Sequence, residues 1–251
     1  MSGHNKWSSI KHQKGVADAK RGQLFTKLTR EIIVAVRQGG SDQEANFRLR
    51  LAIQKARDAN MPLENIDRAV KRGSGETDGT TLIEMNLEGY GPSGAAILVH
   101  ALTDNRNRVL QEIRNTFSRS GGNLGEAGSV AWLFDSKGLI TIDNSGLDAD
   151  ALTLKAIDAG ADDVLTDGKS TEVYTKPDEL ELVRRALEQA RIPIASSGLS
   201  MVPKTTIDLE EKAALQALKL LHKLEELDDV QQVSSNVNFS DAVMAEFEAQ
   251  V

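Results

Sequence analysis

A chain of 251 residues with 40% hydrophobic content can bury one large core or two to three small ones, and 4% aromatic content makes those cores aliphatic. The absence of cysteine excludes disulfides and thiolate metal sites and fits a reducing, cytoplasmic setting. The net charge of −7 conceals a division: residues 1–73 hold 15 Lys and Arg against 7 Asp and Glu, a net of +8, whereas residues 74–251 hold 15 against 30, a net of −15. Such a split points to a basic module that meets a polyanion, joined to an acidic body; the plainer alternative is a helical domain with solvated Lys and Arg faces.

Other classes are disfavoured by what is missing. The four histidines, His4, His12, His100 and His222, show no ligand spacing, so no metal site is expected, and no cofactor motif is found. No apolar run reaches the roughly 18 residues of a membrane span, and the N-terminus lacks the apolar core of a secretory signal. No nucleophile elbow, Walker loop, kinase set or zincin motif occurs, so the chain reads as a non-enzyme. A carboxylate-based hydrolase assembled from distant residues is the remote alternative. The acidic pairs Asp162-Asp163, Glu210-Glu211, Glu225-Glu226 and Asp228-Asp229 read as surface charges near element ends.

Residues 1–22 form a basic tail without a strong period, too poor in apolar surface to offset ordering entropy without a partner. Trp7 has two readings: a base-stacking aromatic among lysines, or a ring folded back on the first helix. Residues 23–78 read as three helices. Leu24, Phe25, Leu28, Ile32, Ile33 and Val36 make the first stripe, with Lys27, Arg30 and Arg37 on the wetter side, and Gly39-Gly40 stop it. Ser41 or Asp42 is the expected cap of the second helix, which turns Leu49, Ala52, Ile53 and Ala56 inward and Arg48, Arg50, Lys55 and Arg57 outward. After Pro62, the residues Leu63, Ile66, Ala69 and Val70 make the third stripe, ended by Gly73-Ser74-Gly75.

Residues 79–135 and 205–251 are expected to form a middle α+β domain. Its strands are read at Leu82–Leu87, Ala95–Leu102 and Ser129–Phe134, with a helix from the Asp104–Arg108 stretch to about Ser120, a long helix over Leu209–Leu227 and an extended Val230–Phe239. Gly89 to Gly94 matches G-x-G-x-x-G, but a strand follows and Pro92 removes a donor, so this is a strand connection and no dinucleotide fingerprint. Tyr90 at its tip, and Arg106 and Arg108 at a helix start capped by Asp104 or Asn105, are secondary contact candidates; for the arginines the alternative is a capped helix with solvated charges. Residues 136–204 follow a β-α-β-β-α-β order, the ferredoxin-like unit, inserted in the middle domain.

The motifs GH-x-KW at Gly3–Trp7, KH-x-K at Lys11–Lys14, DAKRG-x-x-FTK at Asp18–Lys27, EGYGP at Glu88–Pro92, DNRNR at Asp104–Arg108 and SGGNLG-x-x-GSVA-x-LF at Ser120–Phe134 span the chain. By them it resembles the YebC/PmpR family, to which the mitochondrial translational activator of cytochrome c oxidase is related. The resemblance implies an α+β protein with an N-terminal three-helix domain and two α/β-sandwich domains, one inserted in the other. It also implies a cytoplasmic regulator of gene expression. Family members carry the label of DNA-binding transcriptional regulators; the other role implied is that of a translation factor at the ribosome, relieving stalling at proline-rich stretches. Asn5, Gln23, Ser93 and Val109 depart from the residues common in the family, and Gln23 removes one positive charge beside Arg21.

The expected partner is therefore nucleic acid, DNA or ribosomal RNA, and no membrane. The candidate contacts are Lys6, Trp7, Lys11, His12, Lys14, Lys20, Arg21, Lys27 and Arg30. No predicted helix presents the Arg, Asn and Gln cluster that base readout in a major groove needs, which favours phosphate-dominated binding and structured RNA.

Overall fold

The computed structural model describes residues 18–76, 81–168 and 170–250, the side chains of residues 18–20 excepted. These fall into two compact units: one runs up to Ala131 and includes Leu215–Val233, the other comprises Trp132–Ala214 and the chain from Ser234.

The first unit opens with three helices, α1 (Asp18–Gly39), α2 (Phe47–Asp58) and α3 (Leu63–Gly73). Their stripes interlock in one aliphatic core: Ile32, Ala35, Leu49, Ala52 and Ala56 are fully buried, and Leu28, Ile33, Val36, Ile53, Ile66 and Ala69 nearly so. Each fully buried Leu or Ile contributes roughly 1.5–3 kcal/mol. At Gly73 the bundle closes too tightly for a side chain, since a Cβ there would stand 2.6 Å from Cβ of Val36.

Three expectations change here. Helix α1 begins at Asp18, inside the stretch read as lacking a period, because a helix nucleated by a packed stripe extends backward at one hydrogen bond per residue. The cap of α2 is Asn46 and neither Ser41 nor Asp42: its Oδ1 accepts from N–H of Leu49 at 3.0 Å, and its Nδ2 donates to the carbonyls of Ala35 and Gly40. Leu63, placed on the inward stripe of α3, is 62% exposed.

The same unit continues with a sheet ordered β3-β1-β2-β9, built from β1 (Ile83–Tyr90), β2 (Ala96–Thr103), β3 (Asn123–Leu124) and β9 (Val230–Ser235). Strands β1 and β2 are an antiparallel hairpin from Ile83↔Thr103 to Tyr90↔Ala96, and the glycine-rich stretch is its turn. Ser93 sits there at φ 56°, in the left-handed region that favours glycine, so its departure from the family residue has a structural address. Helix α4 (Arg106–Arg119), capped by Asn105, buries Val109, Ile113 and Phe117. Helix α7 (Glu211–Glu225) buries Ala217, Leu218, Leu220, Leu221 and Leu224. The strand expected at Ser129–Phe134 is absent. Ala131–Leu133 is a single 3-10 turn with Trp132 65% exposed, and the third strand is the two-residue β3.

The second unit holds β4 (Phe134–Asp143), α5 (Ala149–Asp158), β5 (Asp163–Asp167), β6 (Ser170–Thr175), α6 (Leu180–Gln189) and β7 (Ile194–Pro203). All three strand pairs are antiparallel and the order is β5-β6-β4-β7, which is the ferredoxin-like arrangement. Gly138, Ile140 and Ile142 alternate onto one face with Val173 and Thr175, and a Cβ on Gly138 would stand 2.9 Å from Cβ of Leu180, which places α6 on that face. A short parallel pair, β8 (Ile207–Asp208) with β10 (Val237–Asn238), and a final helix α8 (Asp241–Gln250) with Val243, Met244 and Phe247 buried, complete this unit. The chain leaves the first sheet after β3 and rejoins it at β9, so β4 to β7 are an insertion in sequence.

Candidate nucleic-acid interface

The positive charges of the bundle divide into those held within the chain and those left on its surface. Lys27 donates from Nζ to the carbonyl of Glu225 at 2.6 Å. Arg30 donates from Nη1 to the carbonyl of Asp228 at 2.7 Å and lies 2.6 Å from Oδ1 of Asp229. Gln23, one turn before, donates from Nε2 to the Glu226 carbonyl and the Asp228 carboxylate. The polar side of α1, expected to be open to a partner, is thus spread over the Glu225–Asp229 turn of the same unit. The turn offers the carbonyls of Glu225, Glu226 and Asp228 and the carboxylates of Asp228 and Asp229, and residues 23, 27 and 30 of α1 fall on one face to meet them.

Asp229 is where the pair reading fails most clearly. It reads in sequence as a surface charge, yet it is 4% exposed and lies between two guanidinium groups, with Arg30 ion-paired 2.6 Å from Oδ1 and Arg108 donating to Oδ2 at 2.7 Å. Arg108 also reaches Asp104 at 2.9 Å. The positive end of α4 therefore finds its anions within the protein, and Arg108 is committed to them. Arg106 is exposed. Sequence offers one hint of Asp229: it immediately precedes a buried strand, where an unpaired carboxylate would be costly.

A second carboxylate cluster joins bundle and sheet. Glu84 of β1 takes Arg48 at 2.7 Å, His100 at 2.7 Å and Gln38 at 3.0 Å. The Arg48 hydrogen bonds, opposed by desolvation and aided by His100 and Gln38, pull the Glu84 carboxyl from 4.5 to about 2. Arg50 is spent on the carbonyls of Gln43 and Glu44, and Lys55 on Glu31.

Exposed on the bundle are Arg37, Arg57, Arg68, Lys71 and Arg72. Four of these lie at the end of α2 and along α3. None of the four stood among the candidates, although their signal is simple: they are cations off the buried stripe of a short amphipathic helix. Arg21 is exposed as well, the side chain of Lys20 is not described, and Lys6, Trp7, Lys11, His12 and Lys14 lie outside the described residues.

The glycine-rich signatures also receive a role. Glu88 is 8% exposed and accepts from the backbone N–H groups of Gly128, Val130 and Ala131 at 2.6, 2.7 and 2.8 Å. Burial alone would raise its carboxyl; the three donors outweigh that and hold it below the ordinary range. Tyr90 donates its hydroxyl to the Ser129 carbonyl at 3.1 Å, which draws it into the same turn. The two signatures, distant in sequence, are thus one staple. Among the described residues no group of three or more His, Cys, Asp or Glu is placed to hold a metal, and no helix is long and apolar enough to cross a membrane.

Fold and surface together define a class: a cationic three-helix module followed by two antiparallel α/β sandwiches, the second inserted in the first. Comparison with known proteins places it further. Residues 5–76 match the family model for the TACO1/YebC protein N-terminal domain, and residues 82–237 match that for the TACO1/YebC second and third domain. The chain belongs to the TACO1/YebC family. It is 57% identical over 250 residues to a probable transcriptional regulatory protein of Dehalococcoides mccartyi (strain CBDB1), covering 100% of both chains. It is 54% identical to a probable transcriptional regulatory protein of Chloroflexus aurantiacus, over 99% of this chain and 100% of that one. The crystal structure of a conserved hypothetical protein from Aquifex aeolicus superposes with a TM-score of 0.86 at 46% identity, over 94% of this chain and 98% of the other.

Proposed function

We propose that this protein is a non-enzymatic, cytoplasmic regulator of gene expression that binds nucleic acid mainly through the phosphate backbone. The observation that carries the reading is the placement of charge: a net of +8 over residues 1–73, with Arg57, Arg68, Lys71 and Arg72 exposed, against −15 over the remainder. Phosphate contact of this kind gives affinity and strong salt dependence, with little sequence choice. The relatives' name, probable transcriptional regulatory protein, is compatible with it.

One observation favours RNA at the ribosome over a promoter. Readout in a major groove needs Arg, Asn or Gln at the first turns of an exposed helix. The first turn of α3 carries Glu64, and in the first turn of α4 Arg108 is held by Asp104 and Asp229, which leaves Arg106 as the one arginine there open to a partner. Structured RNA, met by phosphate contact and stacking, asks for less. Changing Lys11, Lys14, Lys20 and Arg21 together to Ala is expected to weaken binding to every nucleic acid and to lower the log-log salt slope by about one unit per lost contact. An unchanged slope would remove the N-terminal segment from the interface. Co-sedimentation with ribosomes that depends on residues 1–30, without a promoter footprint at physiological salt, is the expected pattern; a sequence-specific footprint would reverse the choice.

A further inference from the structure

Between α2 and α3 lies a shallow cavity of about 230 Å³. Its floor is aliphatic, made by Ile53, Ile66 and Val70, with Leu63 standing at the edge. Ile53 and Ile66 are each 2% exposed and belong to the bundle core, so the floor is rigid. The rim carries Arg57 and Lys71 as cations, Gln43 and Asp67 as polar groups. Asp67 and Lys71 are one turn apart on α3 and both exposed, and among the described residues neither takes part in an ion pair. Arg68 and Arg72 follow on the same helix, so the cavity opens within the cationic surface described above.

We propose that this cavity is a nucleobase pocket: it takes one unstacked, amino-bearing base from a single strand. This rests on the nucleic-acid reading above and adds the class of ligand that the bundle selects. The volume lies below the ~300–1,000 Å³ of sites that enclose drug-sized ligands, which suits a single planar ring system. Leu63, 62% exposed, and half-buried Val70 give an apolar contact for a base face, backed by the covered Ile53 and Ile66, as apolar side chains do where bases are splayed out of a stack. Arg57 and Lys71 on the rim meet the phosphates on either side of the base. The Asp67 carboxylate is acceptor-only, so it pairs with an exocyclic amino group, which cytosine, adenine and guanine carry and uracil and thymine lack. The Gln43 carboxamide offers both a donor and an acceptor to the remaining edge. A base in a duplex presents neither a free face nor a free pairing edge, so the pocket discriminates single strands from double.

The test uses the full-length protein and fluorescence anisotropy with labelled 12-mers of oligo-C, oligo-A and oligo-U RNA, oligo-dC, and a mixed RNA duplex. Leu63→Ser, Asp67→Ala and the double variant Arg57→Ala/Lys71→Ala change exposed residues, and circular dichroism with a thermal melt confirms that each folds. Leu63→Ser removes one apolar contact and is expected to weaken single-strand binding about tenfold and to leave the duplex unchanged. Asp67→Ala is expected to erase the preference for oligo-C over oligo-U, and the double variant to lower the single-strand salt slope by about 1.4. Equal losses for RNA and DNA single strands place the recognition on the base; a loss confined to RNA adds the ribose. Wild-type binding of all oligonucleotides by Leu63→Ser and Asp67→Ala overturns the pocket while leaving the wider reading intact. Failure of the unaltered protein to bind any nucleic acid overturns both, whereas a protein ligand whose binding alone depends on Leu63 overturns the pocket only.

Discussion

Glu88 shows how much a single side chain carries. It lies in β1, but its carboxylate serves a turn forty residues later by closing three backbone N–H groups of Gly128, Val130 and Ala131. Those donors would otherwise be buried or half-buried without a partner, and a charged acceptor strengthens each bond. Glu88→Gln puts an amide N–H₂ where donors already converge, and is expected to lower stability by about 2 kcal/mol in a urea melt. A loss as small as that of an exposed Glu would mean the turn holds itself. Asp229 is the counterpart among ion pairs. Asp229→Asn leaves Arg30 and Arg108 facing a neutral amide, and is expected to cost about 3 kcal/mol. Restoring charge with Asp229→Glu recovers only part, because two oxygens must reach two fixed guanidinium groups.

At the scale of elements, the helices were legible because a 3.6-residue apolar period survives any change in the surroundings. The stripes of α1 and α2 and the Val109, Ile113 and Phe117 row of α4 are buried as the spacing requires. Ends were less legible, since capping depends on which polar side chain the fold brings near. Asn46 won over Ser41 and Asp42 because it also supplies two donors to the α1 end, to Ala35 and Gly40. Asn46→Ser keeps a cap and loses those donors, and is expected to cost about 1 kcal/mol. Asn46→Asp sets a carboxylate against two carbonyl oxygens and is expected to cost more, by thermal denaturation. The missing strand at Ser129–Phe134 has a similar cause: the N–H groups of Val130 and Ala131 are taken by Glu88 and that of Ser129 by the Glu126 carbonyl, so they cannot form a ladder.

At the scale of the whole molecule, carboxylates set the acid limit. Glu31, Glu84, Glu88 and Glu181 all sit below their ordinary range in the folded chain, Glu84 at about 2. A depressed folded value means that the stabilisation is full above the ordinary carboxylate range near 4.5 and is lost as pH falls through it toward the folded value. Melting temperature is therefore expected to drop between about pH 4.5 and 2, and Glu84→Gln to flatten that part of the profile. Because Glu84 is largely solvent-screened, its share is about 1 kcal/mol. A Glu84→Gln profile parallel to the unaltered one would assign the acid limit to the other three.

By itself the sequence determined the period of each element, the β-α-β-β-α-β order of the insertion and the division of charge, because these are properties of residues near one another in the chain. Only the tertiary structure decided which charges remain outside. Lys27 and Arg30 carry the same charge as Arg57 and Lys71, and spacing alone cannot separate them. What separates them is the Glu225–Asp229 turn, about two hundred residues away, which folds against α1 and leaves Arg57 and Lys71 exposed on α2 and α3.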